Sequence, residues 1–177
     1  MNFPTQIPLK MKVLIGLVAL VVLGGIAGFV LPPTGYNNGY EPLQPIPYDH
    51  SLHAGKYQIA CQYCHTNVER SRHATVPSLN ICMNCHSSVA TASPHIQRLK
   101  ALYDSGGRMP WVKVHMLPDH VMFNHRRHVK QGVACQTCHG NIQEMQVVHQ
   151  HASLAMGWCV NCHRDNGAPI SCSTCHY

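Results

Sequence analysis

Five copies of the pentad Cys-x-x-Cys-His constrain this chain more than any other feature, because together they use all ten of its cysteines. A disulfide framework needs neither the fixed spacing nor the histidine, and a zinc site needs no histidine directly after the second cysteine. Two cysteines at this spacing can instead form thioether bonds to a haem, and the histidine that follows can bind the iron from one face. The pattern therefore predicts five covalently bound haem c groups.

The predicted attachment points and iron ligands follow directly from the motifs. The attachment points are Cys61, Cys64, Cys82, Cys85, Cys135, Cys138, Cys159, Cys162, Cys172 and Cys175, and the proximal ligands are His65, His86, His139, His163 and His176.

The composition limits the kind of core that the chain can build. Only 3 Phe and 2 Trp occur in 177 residues, too few for a conventional aromatic core. The haems must then supply much of the apolar volume that side chains normally supply. We expect a mainly helical and irregular fold with little regular secondary structure, in which short helices carry the binding motifs.

The formal net charge of +6 does not indicate nucleic-acid binding. Ten haem propionates would add about ten negative charges that the sequence count omits. The chain has no basic tail and no basic stripe interleaved with aromatic residues. We therefore expect no nucleic-acid partner.

An apolar run near the N-terminus predicts one transmembrane helix. Residues 13–31 are uninterruptedly apolar, and as a helix they would span about 28 Å, close to the hydrocarbon thickness of a bilayer. Lys10 and Lys12 precede the run, and the next Lys or Arg is Lys56, so the N-terminus is expected in the cytoplasm. A cleaved signal peptide shares this pattern, but the length of the run and the prolines after it favour an uncleaved signal-anchor over residues 1–31. Residues 32–47, rich in Pro, Gly, Asn and Tyr, are expected to form a linker.

The remaining residues, 48–177, contain an internal repeat. Tyr48-Asp-His-Ser-Leu-His precedes the first motif, and Phe123-Asn-His-Arg-Arg-His precedes the third. A second motif follows each of these. We interpret residues 48–90 and 121–165 as two dihaem repeats, with the fifth haem at residues 172–176. Between the repeats, residues 96–102 have a helical pattern and residues 111–116 an alternating one that could form a single extended strand.

Ten histidines remain for the other face of the five irons. In His-x-x-His on a helical turn both rings leave one face and can reach two haems, which favours His50, His53, His125 and His128. The fifth distal ligand is left open between His115, the first choice, and the thioethers of Met156 and Met145. Bis-histidine ligation leaves no open position on an iron, so electron transfer is expected rather than catalysis.

The residues also resemble a known family. The aromatic-x-His-x-x-His pattern is similar to that of class III multihaem cytochromes c. The runs beginning at Tyr48, Trp111, Leu117 and Met156 resemble the membrane-anchored pentahaem subunit (ActA type) of alternative complex III. The resemblance implies a quinol-oxidising complex of the bacterial inner membrane, with the haem domain on the periplasmic side. It implies an iron–sulfur protein as electron donor, a monohaem cytochrome c or a terminal oxidase as acceptor, and membrane-embedded subunits as neighbours.

Two other functions, a quinol dehydrogenase and a terminal reductase, are alternatives to an electron-transfer subunit. A membrane-anchored multihaem quinol dehydrogenase that feeds periplasmic reductases often has a methionine soon after its first motif, where this chain has Thr66-Asn-Val. A periplasmic terminal reductase would need an iron with an exchangeable position, and the ligand candidates here outnumber the positions to be filled.

Overall fold

The structure, a computed structural model, describes residues 8–30 and 37–177. The backbone divides into two compact units, one containing the N-terminal helix and the other containing residues 37–177 with all five motifs.

The first unit is helix α1, Leu9–Val30. The carbonyl of Pro8 accepts the first hydrogen bonds, from Met11 (2.9 Å) and Lys12 (3.2 Å). Its window Leu9–Gly28 has a mean hydropathy of 2.3, and every side chain in it is exposed. By length and composition α1 can cross a membrane, as an anchor or as a signal sequence.

The second unit is a series of short helices joined by irregular segments. A π-helical turn spans Ser51–Lys56 and a 3₁₀ turn spans Ile142–Glu144. The α-helices are α2 Cys61–Cys64, α3 Leu79–His86, α4 Pro94–Asp104, α5 His125–Lys130, α6 Cys135–His139, α7 Met156–Asp165 and α8 Cys172–Cys175. The described residues contain no strand. The predicted class, mainly helical and irregular with one N-terminal apolar helix, is confirmed.

Helix α4 forms where the helical pattern of residues 96–102 predicted one, and it extends two residues further at each end. Pro94 occupies the first turn, where its missing N–H costs nothing. Gly106, at φ +68°, ends the helix, and the N–H of Gly107 bonds back to the carbonyl of Leu102 (2.8 Å).

The apolar core of the second unit is small. It consists of Ile46, Leu79, Met83, Leu99 and Met109, gathered where α3 packs on α4. The accessible surface of the whole chain is 13172 Å², whereas a folded monomer of 19.7 kDa exposes about 8,600 Å². The exposed apolar helix α1 accounts for part of the excess. The motifs also leave open surfaces, because none of their cysteines is buried, as expected if haems fill the space between them.

The described part of the expected linker, from Asn37 onward, belongs to the second unit. Gly39 N–H and Tyr40 C=O pair with the backbone of Gln150 (2.8 and 3.0 Å), and Ile46 lies in the core. The earlier residues of the expected linker, 32–36, lie outside the described residues. Composition alone did not show this packing, because the backbone partners come from a segment more than a hundred residues away.

The alternating run at residues 111–116 lies in an irregular segment, and it is not a strand. Three of its backbone groups are bound by side chains in place of a neighbouring strand. The side-chain amide of Gln44 accepts a hydrogen bond from the N–H of Val112 (2.9 Å) and donates one to its C=O (3.0 Å). The side-chain oxygen of the fully buried Gln150 accepts from Met116 N–H (3.0 Å).

Candidate functional site: the Cys-x-x-Cys-His centres

Each pentad forms one helical turn that gathers its three functional side chains. In α2 the N–H of His65 bonds to the carbonyl of Cys61 (2.9 Å), and in α8 the N–H of His176 bonds to that of Cys172 (3.0 Å). Residues i, i+3 and i+4 of such a turn share one face. The two thiols and the imidazole of a motif therefore lie on the same side of the chain. None of the ten cysteines, all within the described residues, forms a disulfide.

Three pairs of predicted ligand rings lie at the separation that one shared iron requires. Two imidazoles that bind an iron through nitrogen at about 2 Å on each side have ring centroids roughly 6 Å apart. The observed centroid separations are 6.2 Å for His53 and His86, 6.4 Å for His125 and His139, and 6.0 Å for His128 and His163. In each pair a predicted distal ligand meets a predicted proximal ligand.

Hydrogen bonds at Nδ1 fix the orientation of most of these rings. A carbonyl oxygen only accepts, so the Nδ1 atom that faces it must carry the ring proton, which leaves Nε2 free to bind a metal. The Nδ1 contacts run from His53 to Asp49 O (2.8 Å), His65 to Thr75 O (2.6 Å), His86 to Val89 O (3.1 Å), His125 to Arg72 O (3.0 Å), His128 to Asn124 O (2.9 Å), His163 to Pro169 O (2.6 Å) and His176 to His120 O (2.8 Å).

An aromatic ring supports each predicted distal pair. Tyr48 meets His50 edge-on at 4.7 Å and stacks on His53 at 4.5 Å. Phe123 meets His125 edge-on at 4.8 Å and stacks on His128 at 4.5 Å. The aromatic residue of the repeated pattern thus orients both histidines that follow it.

His50 and His65 form the remaining candidate pair of the first repeat. Burial, together with the neighbouring His65 and His53 rings, lowers the pKa of His50 to about 4. His50 is therefore neutral at pH 7, the state in which imidazole binds a metal. Unlike the other three distal candidates, His50 has a buried Nδ1 without a hydrogen-bond partner.

His139 differs from the other proximal candidates because its Nδ1 meets another side chain. Nε2 of His115 lies 3.1 Å from it, with the ring centroids 4.4 Å apart. Burial, with His115 and His125 nearby, lowers the pKa of His139 to about 4. Burial, with His149 nearby, also lowers the pKa of His115. The structure thus places His115, the first candidate for the fifth distal position, in contact with a predicted proximal ligand.

The two methionine alternatives lie in different surroundings. Met156 begins α7 and is 64% exposed. Met145 is half-buried and helps to line an open cavity of about 460 Å³ together with Gly140, His149 and His151. Their assignment as alternatives for the fifth distal ligand stays a prediction.

The thiols show which motifs are neighbours in space. Burial raises the pKa of Cys64, and the thiols of Cys61 and Cys85 add to the effect. Burial also raises the pKa of Cys135, and the thiol of Cys61 contributes. Burial raises the pKa of Cys138 to about 11, and the thiol of Cys162 contributes. Burial also raises the pKa of Cys159, and the thiol of Cys175 contributes. These influences show that the first motif neighbours the second and the third, and that the fourth neighbours the third and the fifth.

The surroundings of the motifs fit haem. An open cavity of about 360 Å³, lined by Ile59, Ala60, Tyr63 and Cys85, is almost wholly apolar and lies between the first and second motifs. Near the junction of the repeats, Nε of Arg72 is buried without a partner, as expected of a donor placed for a carboxylate such as a haem propionate. Within residues 8–30 and 37–177, no three His, Cys, Asp or Glu side chains converge on a common metal position of the zinc type.

The sequence reasoning missed the residues that anchor the rings. Asp49 and Asn124 could have been found, because each lies four residues before the histidine whose Nδ1 its carbonyl accepts, which is the spacing of one helical turn. Arg72, Thr75 and Pro169 carry no such signal, since their carbonyls reach the rings only through the path of the loops.

Comparison with known proteins supports the same class. The family model described as "Cytochrome c7 and related cytochrome c" matches residues 121–177, about a third of the chain, which include the third, fourth and fifth motifs. No curated protein matches the chain. The C-terminal part is a cytochrome c7-type domain, and the protein is a multihaem cytochrome c that carries electrons.

Proposed function

We propose that this chain is a membrane-anchored pentahaem subunit of a quinol-oxidising respiratory complex of the alternative complex III type. In this proposal it accepts electrons from an iron–sulfur subunit and delivers them to a monohaem cytochrome c or a terminal oxidase. The observation that supports electron transfer is the set of three paired histidine rings, 6.0 to 6.4 Å apart, beside motifs for covalent attachment. The complex and its partners are proposed from the sequence resemblance.

The ligand geometry favours a carrier over an enzyme. A haem iron held between two imidazoles exchanges one electron and offers no position to a substrate. The chain supplies paired rings, fixed Nδ1 protons and two free thiols at every motif, and each motif has another motif as a neighbour. These features are expected of an electron-transfer protein.

The membrane placement in this proposal follows from α1. The helix can span a bilayer, and Lys10 and Lys12 at its start favour a cytoplasmic N-terminus. The unit of residues 37–177 would then lie on the periplasmic side, where haem is attached to cysteines. An uncleaved α1 would keep that unit at the membrane, beside membrane-embedded subunits.

The test is purification of the full chain from its native membrane in detergent. We expect five haems per chain by haem assay and intact mass, retention of α1, and co-purification with an iron–sulfur protein and polytopic membrane proteins. Fewer than five haems would contradict the pentahaem assignment, and a mature chain that lacks α1 would contradict the anchor.

The same preparation separates this proposal from the rival quinol dehydrogenase. Isolated from its partners, the chain should not oxidise a quinol analogue but should be oxidised and reduced by soluble one-electron reagents. Quinol oxidation by the isolated chain would move the assignment to a dehydrogenase that acts alone.

A further inference from the structure

His139 holds its Nδ1 proton against a side chain, whereas seven other ligand candidates hold theirs against backbone carbonyls. The acceptor is Nε2 of His115, at 3.1 Å. A backbone carbonyl has much the same basicity at every position. An imidazole nitrogen is a stronger base than a carbonyl, so the third motif has a different electronic environment from the others.

The direction of this hydrogen bond follows from the proposed ligation. If His139 binds iron through Nε2, its Nδ1 keeps the proton and donates, so Nε2 of His115 accepts. This bond fixes His115 as the tautomer protonated at Nδ1. A ligand histidine that donates to a good acceptor becomes more basic, which strengthens its bond to the metal and favours the oxidised ion.

The segment that carries His115 is held firmly. On one side Gln44 bonds to both backbone groups of Val112, and on the other the buried Gln150 accepts from Met116 N–H. Gln150 itself is fully buried and bonds to the carbonyl of Ala152 (3.1 Å). The backbone on both sides of His115 is therefore restrained, and its ring is half-buried against His139.

We infer that His115 is a positioning residue that orients His139 and lowers the reduction potential of the haem at the third motif. This role differs from the fifth distal position that the sequence predicted for His115. It rests on the proposed ligation of iron by His139, whose opposite ring, His125, lies 6.4 Å away. The third motif neighbours both the first and the fourth, so the potential of its haem bears on electron transfer between them.

The experiment compares His115→Leu with His115→Gln in the detergent-solubilised holoprotein. Leu removes the acceptor, and Gln restores one through its carbonyl oxygen. His149→Leu is the matched control, because His149 is a half-buried histidine near His115 to which no ligand role is assigned. Haem content, redox titration followed optically, and low-temperature EPR are recorded for all three and for the wild type.

In His115→Leu we expect unchanged haem content and one haem with a raised potential. A tenfold change in its ratio of reduced to oxidised form corresponds to about 59 mV. Its EPR signal should shift while remaining low-spin. His115→Gln should recover part of the shift, and His149→Leu should match the wild type.

Three results would overturn the inference. Unchanged potentials in His115→Leu would remove the coupling, and a new high-spin signal would identify His115 as a distal ligand. A similar shift in His149→Leu would assign the effect to local polarity. Should His115→Leu lose the haem, His115→Gln decides: wild-type haem content with a raised potential at one haem supports the role, and wild-type potentials contradict it. A wild-type chain without haem at Cys135 and Cys138 would contradict the proposed function instead.

Discussion

Residues 48–90 and residues 121–165 place their histidines alike although the backbone beneath them differs. The first repeat carries His53 on a π-helical turn, with His50 just before it, and the second carries His125 and His128 on the α-helix α5. The aromatic contacts nevertheless agree within 0.1 Å: 4.7 and 4.5 Å around Tyr48, 4.8 and 4.5 Å around Phe123. The aromatic ring therefore sets the imidazole positions in both backbones.

The two repeats differ most at their first motifs. In the first repeat, His65 Nδ1 bonds to Thr75 O, within the same repeat. In the second, His139 and His125 bond to residues outside their repeat, His115 and Arg72. At the second motifs both repeats use nearby carbonyls, those of Val89 and Pro169. Ring hydrogen bonds to residues nearby in the chain therefore occur in both repeats, whereas those at the junction between the repeats occur only in the second.

Removing a haem attachment should have the largest effect. Cys135→Ala with Cys138→Ala, and separately Cys61→Ala with Cys64→Ala, should each cost one haem. Because the haems supply apolar volume that the small side-chain core lacks, each loss should destabilise the unit by more than about 4 kcal/mol. Haem assay, intact mass and thermal unfolding measure this. Five haems retained in either double variant would contradict covalent attachment there.

Replacing the distal candidates tests whether the first motifs of the two repeats are equivalent. His50→Ala and His125→Ala should each keep all haems attached and convert one of them to a high-spin form, seen in optical and EPR spectra. His125→Ala also loses the bond to Arg72 O, which has no counterpart at His50. It should therefore be the less stable variant by about 1 kcal/mol. A fully low-spin spectrum would exclude the replaced residue as a ligand.

The contact between the repeats depends on a glycine. A Cβ at Gly55, in the π-helical turn, would overlap the backbone carbonyl of Gln143, in the 3₁₀ turn. Gly55→Ala should therefore destabilise the unit by about 1–3 kcal/mol in chemical denaturation.

The matched control for this substitution is Gly157→Ala in α7. A Cβ there meets no atom within 4 Å, so the variant should gain up to about 1 kcal/mol from helix propensity. Equal stabilities of the two variants would show that the two turns do not pack as described.

Exchanging the aromatic residue between the repeats should have the smallest effect. Tyr48→Phe keeps the ring and copies Phe123, so its stability should change by less than about 1 kcal/mol and its low-spin spectrum should not change. Tyr48→Leu keeps apolar bulk but loses the ring contacts, and it should cost about 1 kcal/mol more. A larger loss in Tyr48→Phe would show that the hydroxyl, and not the ring, supports the first pair.

The sequence by itself determined what lies within a few residues along the chain. The spacing of the pentads places two thiols and an imidazole on one helical face, and an apolar run of helical length makes α1. The repeat of aromatic-x-His-x-x-His predicts two similar pairs of distal candidates. Helix α4 forms where the helical pattern of residues 96–102 predicts it, and it ends just before Gly106 and Gly107. These features depend on covalent spacing and helix geometry, which vary little between proteins.

Only the tertiary structure decided which rings meet and what holds them. His53 opposite His86 and His128 opposite His163 are brought together by the path of the loops, as is the carbonyl of Arg72 beside His125. The backbone pairing of Gly39 and Tyr40 with Gln150 and the contact of His115 with His139 arise in the same way. Local spacing does not predict these contacts, because a hydrogen bond or ring contact between distant segments depends on where the fold of the whole chain places the two segments.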